Sequence, residues 1–376
     1  MDYNFTEEEL NIQDVIRKFA LKEIRPFIDQ IEKENKMPDE LSSRITNMKI
    51  SGLPFPEKWG GSGASYVSLL LAIEELSHVY LPSIFIPLVN GMASFGFSNF
   101  AGDYLKDKHF RGLLNGSINA AWAFTEPDTG SDPKQITTKA VKDGDDWILN
   151  GTKRFITNSS IADIAVIFAL TEHGVTAFVV ETRNPGYKVG KREKFLAFAG
   201  SDNGDVILEN ARVQSKNILG SMGKGFDILL AVETFAKVTS CAGNIGLAQS
   251  ALDQAVKYAK EKTHRGISIG SKFQMTQWIL ATMASKVAAS RAFLYSIGAK
   301  MDKREKNLAE ESALLKIFTG ACAREVASDA VQVHGAYGLT KEFPVERLYR
   351  ESRFNEVILG SSEIQRVIAA NSLLRK

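Results

Sequence analysis

The chain has 376 residues, a formal net charge of +2, 44% hydrophobic and 24% charged residues, an ordinary globular composition with room for two or three core-bearing domains. The near-neutral balance, with no dense basic patch, gives no case for nucleic acid. No apolar run approaches the ~20 residues of a membrane helix, and the acidic start MDYNFTEEEL lacks a signal-peptide core, so the expectation is a cytoplasmic protein with no membrane partner.

Residues 5–35 read as a helix. Thr6 before Glu7, Glu8 and Glu9 is a good N-cap with acids in the first turn, and Leu10, Ile12, Val15, Ile16 and Phe19 recur at helical spacing. The turn-rich PFPEKWGGSG at 54–63 breaks the pattern, and helical text resumes over about 65–80 and 83–115. From Ala120 the text becomes strand-like. DWILNGTKRFIT, ADIAVIFAL, GVTAFVVET and GDVILENARV are short, β-branched or aromatic, and bounded by Gly, Asn and Asp. LGSMGKGF, around 220–226, reads as a Gly-rich hinge rather than a dinucleotide fingerprint. Long helical runs follow over about 226–262, 272–302, 307–335 and 361–374, the pattern of a helical bundle. Alternating βαβ text is missing, which argues against a Rossmann fold. Cys241 and Cys322 both fall in helical text and read as reduced, buried thiols, and the five histidines show no ligand spacing, so no metal centre is expected.

Two segments carry the chemistry. In Trp122-Ala-Phe124-Thr125-Glu-Pro-Asp-Thr-Gly130-Ser131-Asp132, Gly130 lets the backbone approach a ligand and Ser131 offers a hydroxyl to a phosphate or carbonyl. In Lys153-Arg-Phe155-Ile156-Thr157-Asn158, strand alternation turns Phe155 and Thr157 away from the face of Ile156.

Together these segments resemble the acyl-CoA dehydrogenase family of flavoproteins, which carries Thr-Glu-Pro-x-x-Gly-Ser-Asp followed by Trp/Phe-Ile-Thr-Asn. The resemblance runs the length of the chain, through PEKWGG at 56–61, AGNIGLAQSALDQAVKYA at 242–259 and VQVHGAYGLTKEFPVERLYRESR at 331–353. It implies a mainly α fold with a β middle domain: an N-terminal helical domain (1–119), a β-barrel-like domain (120–224) and a C-terminal four-helix bundle (225–376). It implies FAD between the last two. In the matching positions Trp122, Phe124, Thr125, Gly130 and Ser131 would approach the flavin and its phosphates. Phe155, Ile156 and Thr157 would line the flavin ring, with Phe155, where the family usually has Trp, covering one face and Thr157 bonding near N5. Ser361 and Glu363 would complete the FAD contacts. A neighbouring subunit would hold the adenine half through Gln274, Gln332 and Gly335, so a homo-oligomer, dimer or tetramer, is implied. The family's Arg-x-x-Phe-Gly pyrophosphate contact departs to Lys262-Thr-His-Arg265-Gly266; Lys262 keeps the charge without the planar fork, and Arg265 is a substitute.

The family reaction removes a proton beside an acyl thioester carbonyl while hydride leaves the next carbon for the flavin. Most members take the proton with a Glu before Gly-Thr; here that segment is Leu359-Gly360-Ser361. A minority place the Glu before a basic residue of the first C-terminal helix; here Ala236 precedes Lys237. Both seats are empty. The backbone N–H of Leu359 remains to polarise the thioester carbonyl, with Ser131, Lys237 and Gly360 as substrate contacts. Glu233, one turn before Lys237, is the first candidate base, and an i,i+4 ion pair is its alternative role; Glu356 reads as structural. With no side-chain base at all, an α-hydroxy or hydrated substrate would lose an O–H proton instead. In length and departures the chain resembles the acyl-carrier-protein dehydrogenases of unusual polyketide extender-unit biosynthesis, which act on hydroxymalonyl- or aminomalonyl-type thioesters. The implied partners are an acyl carrier protein or CoA thioester and an electron acceptor for reduced FAD. An ordinary acyl-CoA dehydrogenase of a short or branched acyl group, a flavin monooxygenase on the same fold, and a non-catalytic flavin-binding protein are the competing readings.

Overall fold

The computed structural model describes residues 4–132, 135–354 and 356–375. Its first part is helical: α1 (Glu7–Phe19), α2 (Ile28–Glu34), α3 (Asp39–Asn47), α4 (Tyr66–Tyr80), α5 (Phe85–Phe100), and the short α6 (Asp103–Leu105) and α7 (Arg111–Asn115). Thr6 closes a full capping box with Glu9 at the start of α1. The expected 5–35 helix is interrupted at 20–27, where wide and tight turns replace α-helical ones around Pro26, which has no N–H to donate.

The middle is a single eight-stranded sheet: β1 (Ala120–Ala123), β2 (Lys139–Asp143), β3 (Asp146–Thr157), β4 (Ile164–Thr171), β5 (Gly174–Glu181), β6 (Tyr187–Arg192), β7 (Asn203–Gln214) and β8 (Ile218–Leu219). The order is β6-β7-β3-β2-β4-β5-β8, with β1 parallel to β4. Alternation along β1 sorts its side chains. Ala121 and Ala123 enter the sheet's own core, while Trp122 joins Phe124 in the larger helical core. The expected glycine hinge is a packed turn. Gly223 N–H donates to Thr176 Oγ1 at 2.9 Å, which docks the turn on β5.

The last part holds α8 (Gly225–Glu261), the hairpin β9 (Thr263–His264) and β10 (Ile267–Ser268), α9 (Ile269–Lys272), α10 (Gln274–Asp302), α11 (Ala309–His334), α12 (Val345–Phe354) and α13 (Ser362–Leu374). α8 crosses α4 closely: Ser77 donates to Gly243 O at 2.8 Å, and a Cβ on Gly246 would lie 2.2 Å from Glu74 O. The expectation that no apolar run approaches membrane length needs correction. The stretches 66–100 and 225–261 are long and apolar enough to cross a membrane by length and composition, but 94% and 78% of their apolar windows are buried inside the protein. They are core elements, apolar on all sides because protein surrounds them.

One polar node ties the three parts together. Arg350 of α12 donates to Glu346, to Glu32 from the N-terminal helices and to Leu196 O from the middle part. The Tyr80 hydroxyl lies 2.9 Å from Glu32 Oε1 and 2.8 Å from Ala199 O.

Candidate active site

The first wall is built where β1 leaves the sheet. Glu126 is buried and accepts four hydrogen bonds: from Lys153 Nζ at 2.8 Å, Thr137 N–H at 2.5 Å, the Thr137 hydroxyl at 2.8 Å and Thr138 N–H at 3.0 Å. Lys153, fully buried on β3, also reaches Phe124 O at 3.2 Å. Burial opposes ionisation of Glu126, but Lys153 and these donors outweigh it and hold the carboxyl at about 2. Arg154 N–H donates to Thr125 O at 2.8 Å, so the Thr-Glu-Pro loop is pinned to β3 at 125 and 126. This buried pair escaped the sequence reading. The signal was a lysine at one of the buried positions of β3, the others being Trp147, Leu149 and Ile156.

The pinning leaves Phe155 on display. The β3–β7 register slips between Lys153 and Ile156, and Phe155 sits in the bulge at φ +59°, 48% exposed, with the Arg154 guanidinium 4.9 Å from its ring centroid. A bulky residue at positive φ is held there by its surroundings. Ile156 is buried in the sheet core, and Thr157 Oγ1 is 3.2 Å from Asn203 Oδ1. On the loop after Glu126, Ser131 is exposed, and a Cβ on Gly130 would meet nothing within 4 Å, so a ligand can come up to that backbone. Trp122 packs under Gly96 and beside Phe168, and its indole N–H has no partner among the described residues.

The second wall is the turn before α13. Leu359 and Gly360 are both left-handed, at φ +53° and +78°. Below them Glu356 is clamped by Arg324 at 3.2 Å and by Arg353, and its carbonyl accepts from Ser362 N–H at 2.9 Å. Glu356 is thus a strut. Gln365 donates to Gly360 O at 3.2 Å. The N–H of Leu359 has no acceptor among the described residues. Ser361 stands at the N-cap of α13 without using its side chain as a cap, and Glu363 is exposed beside it.

The third wall is one face of α8. Glu233, Lys237 and Cys241 are spaced by four and so share a face, which looks onto Lys316 of α11; Lys316 in turn feels the charge of Glu356. Burial raises the Glu233 carboxyl above the usual carboxylate range, with Lys237 pulling it back, and burial lowers the Lys237 ammonium against the pull of Glu233. Lys237 is 3% exposed. The i,i+4 ion pair weighed above does not form: among the described residues neither Glu233 nor Lys237 closes a side-chain hydrogen bond or ion pair. Phe235, between them in sequence, turns to α5 instead, stacked on Phe95 at 5.0 Å.

The remaining residues collect elsewhere. Arg265 and Gly266 are the left-handed two-residue turn of the β9–β10 hairpin. Lys262 lies over the Tyr337 ring at 5.1 Å, which joins the hairpin base to the end of α11. Gln274, Gln332 and Gly335 are exposed, as are Lys262 and Arg265. Exposed Phe273, Met275, Trp278 and Leu339 surround them in sequence.

Three family models cover nearly the whole chain: the acyl-CoA dehydrogenase N-terminal domain over 6–117, the middle domain over 121–211 and the C-terminal domain over 223–374. The chain belongs to the acyl-CoA dehydrogenase family. An acyl-CoA dehydrogenase of Bacillus subtilis (strain 168) is 36% identical over 375 residues, covering 98% of each chain. The butyryl-CoA dehydrogenase of Megasphaera elsdenii superposes at TM-score 0.97 with 30% identity, over 100% of both chains. The prolyl acyl carrier protein oxidase AnaB superposes at TM-score 0.92 with 27% identity, over 98% of each.

This acyl-CoA dehydrogenase-family chain is an oxidoreductase and its cofactor is FAD, as in the solved FAD complex of PigA. Its own residues fit the group. A presented aromatic ring, a hydroxyl at the strand end and an open glycine loop suit a planar ring carrying phosphates, and the positive end of α13 suits oxygen-rich ligands. Bound there, FAD would supply a hydride acceptor.

Proposed function

We propose that this enzyme oxidises an acyl thioester carried on an acyl carrier protein, in making an unusual extender unit such as aminomalonyl- or hydroxymalonyl-carrier protein. The observation that carries this reading is the C-terminal turn. Leu359 offers an N–H with no acceptor among the described residues but no carboxylate, and Ala236 leaves the alternative seat empty as well. The N–H of Leu359 polarises the thioester carbonyl. Glu233 takes the proton, its basicity raised by burial. Lys237, Ser131 and Gly360 line the thioester. Phe155 and Thr157 orient the flavin ring with Trp122, Phe124, Thr125, Gly130 and Ile156 behind them, and Ser361 and Glu363 contact it from the second wall. Lys262, Arg265, Gln274, Gln332 and Gly335 of one copy hold the adenine half of the FAD of another in a homo-oligomer; their shared exposure supports this. An electron acceptor for reduced FAD completes the cycle.

The second reading is an ordinary acyl-CoA dehydrogenase of a short or branched acyl group. The higher identity to the Bacillus and Megasphaera enzymes favours it. Anaerobic mixing of the holoenzyme with one acyl group, presented on a carrier protein or on CoA, separates the two. The carrier-bound form is expected to bleach the flavin faster. Faster bleaching by the CoA thioester supports the second reading, and no bleaching by any thioester removes both.

A further inference from the structure

The turn that carries Leu359 is fastened from two sides. Glu356 O accepts from Ser362 N–H at 2.9 Å, and Gln365 donates to Gly360 O at 3.2 Å, so α13 holds the end of the turn that leads into it. The start of the turn is held from a separate helix. Arg324 of α11 places its Nε 3.3 Å from Glu356 Oε1 and 3.2 Å from Oε2, and Arg353, in the last turn of α12, takes Oε2 as well. Both carboxylate oxygens are engaged by guanidinium groups, so Glu356 is an anchor made of charge-assisted bonds.

α11 is shaped for this carboxylate. Lys316, Gly320 and Arg324 are spaced by four and share one face. Gly320 is buried, and a Cβ there would lie 3.5 Å from Glu356 Cγ, so the stem of Glu356 runs past a gap between two cations. Lys316, 2% exposed, feels the charge of Glu356. Three residues on is Leu359, whose N–H has no acceptor among the described residues. Leu359 and Gly360 are both left-handed, and such a backbone persists only where its surroundings over-determine it.

We propose that Arg324 is a positioning residue: through Glu356 it sets where the Leu359 N–H points, and so how strongly the thioester carbonyl is polarised. This rests on the thioester reading above. With no carboxylate at 359, the backbone N–H is what that position has to act with. An oxyanion donor is effective only when it is aimed at the place where charge develops. Misplacing a group by an ångström from a distant substitution costs on the order of a hundredfold in rate. Arg324 acts in this way, from α11, through one carboxylate.

The test uses intact holoenzyme and acetyl-pantetheine labelled with carbon-13 at its carbonyl. The acetyl group has no second carbon to give up hydride, so it reports binding without desaturation. Difference infrared spectra give the carbonyl frequency free and bound, and wild type should shift it downward. Arg324→Met should lose most of that shift. With an acyl group presented on a carrier protein or on CoA, it should also lower the flavin bleaching rate at saturating thioester by about 10- to 100-fold, with half-saturation moved by less than about threefold. FAD retention and thermal unfolding are measured alongside. Glu356→Gln reads the same link from the turn and should show the same losses, and the double variant should be no slower than either single one. Arg324→Lys, which keeps the charge, should recover part of both shift and rate. Wild-type frequency and rate in Arg324→Met overturn the proposal. So does a slower rate at the wild-type frequency, which a merely structural role would give, and so does bleaching by wild type without any carbonyl shift. Neither shift nor bleaching with any thioester removes the thioester reading itself, and this assignment falls with it.

Discussion

Phe155 and Leu359 are bulky side chains held at positive φ, one on the first wall of the site and one on the second. For an L-residue that conformation costs about 1–2 kcal/mol, and such strain concentrates where a surface must be presented in one way. Phe155→Gly separates the two effects. Phe155 is half-exposed, so glycine relieves the backbone at little packing cost. Thermal unfolding of flavin-stripped protein should not shift downward, while FAD is held more weakly, as read from flavin retained after gel filtration. Undiminished flavin would show that the ring is not a flavin wall. The Glu126–Lys153 pair works in the opposite sense, stabilising the loop behind the site. Lys153→Met leaves a buried carboxylate without its cation, and about 3–5 kcal/mol of stability should be lost at neutral pH. The sign with pH follows from the depressed Glu126. Its contribution is present above the ordinary carboxyl value of 4.5 and is lost as pH falls from there through about 2. Denaturant unfolding at pH 7 and at pH 3 should therefore show the gap between wild type and Lys153→Met narrowing in acid.

The turn between α12 and α13 shows how an element's geometry carries chemistry that its residues alone do not. Glu356 anchors its start to α11 through Arg324, and Gln365 holds its end at Gly360. Gly360→Ala should be severe. Its φ is +78°, and the new Cβ would sit 2.5 Å from Gln365 Nε2. Roughly 1–3 kcal/mol of local strain would displace Leu359 and its free N–H, with loss of activity exceeding loss of global stability. Activity equal to wild type would mean that the position of the N–H is unimportant. Leu359→Glu is the complementary change. It restores a carboxylate at the family's usual seat on a backbone already held left-handed, and is expected to create desaturation of a saturated acyl thioester, measured as enoyl product. On α8 the lesson is different: spacing placed Glu233 and Lys237 on one face, but their failure to pair could not be read from i,i+4 spacing, because the outcome depends on what α11 and the 356–360 turn bring to that face.

For the whole molecule, the exposed end at Lys262, Arg265, Gln274, Gln332 and Gly335 is separate in sequence from the Phe155 and Leu359 walls and carries neighbouring exposed Phe273, Met275 and Trp278. If a second copy's FAD docks there, Arg265→Ala combined with Gln332→Ala should lower FAD retention, most clearly on dilution, while thermal unfolding of the flavin-free protein stays near wild type. Unchanged retention at every concentration would count against the shared site.

By itself the sequence determined the helix–strand–helix order, because amphipathic spacing, caps and turn residues are local. It also determined the family, because its motifs are contiguous, and the missing carboxylate at 359, because that is a matter of identity alone. Only the tertiary structure decided which charges are paired. Glu126 of the loop after β1 meets Lys153 of β3, Glu356 is taken by Arg324 from another helix, and Glu233 and Lys237 close no ion pair among the described residues. It also decided that Phe155 and Leu359 are strained and that two long apolar stretches are core. The physical reason is common to all of these. Burial and hydrogen-bond partners are set by segments far apart in the chain, and the energy of a charged side chain changes by kilocalories with what those segments bring to it.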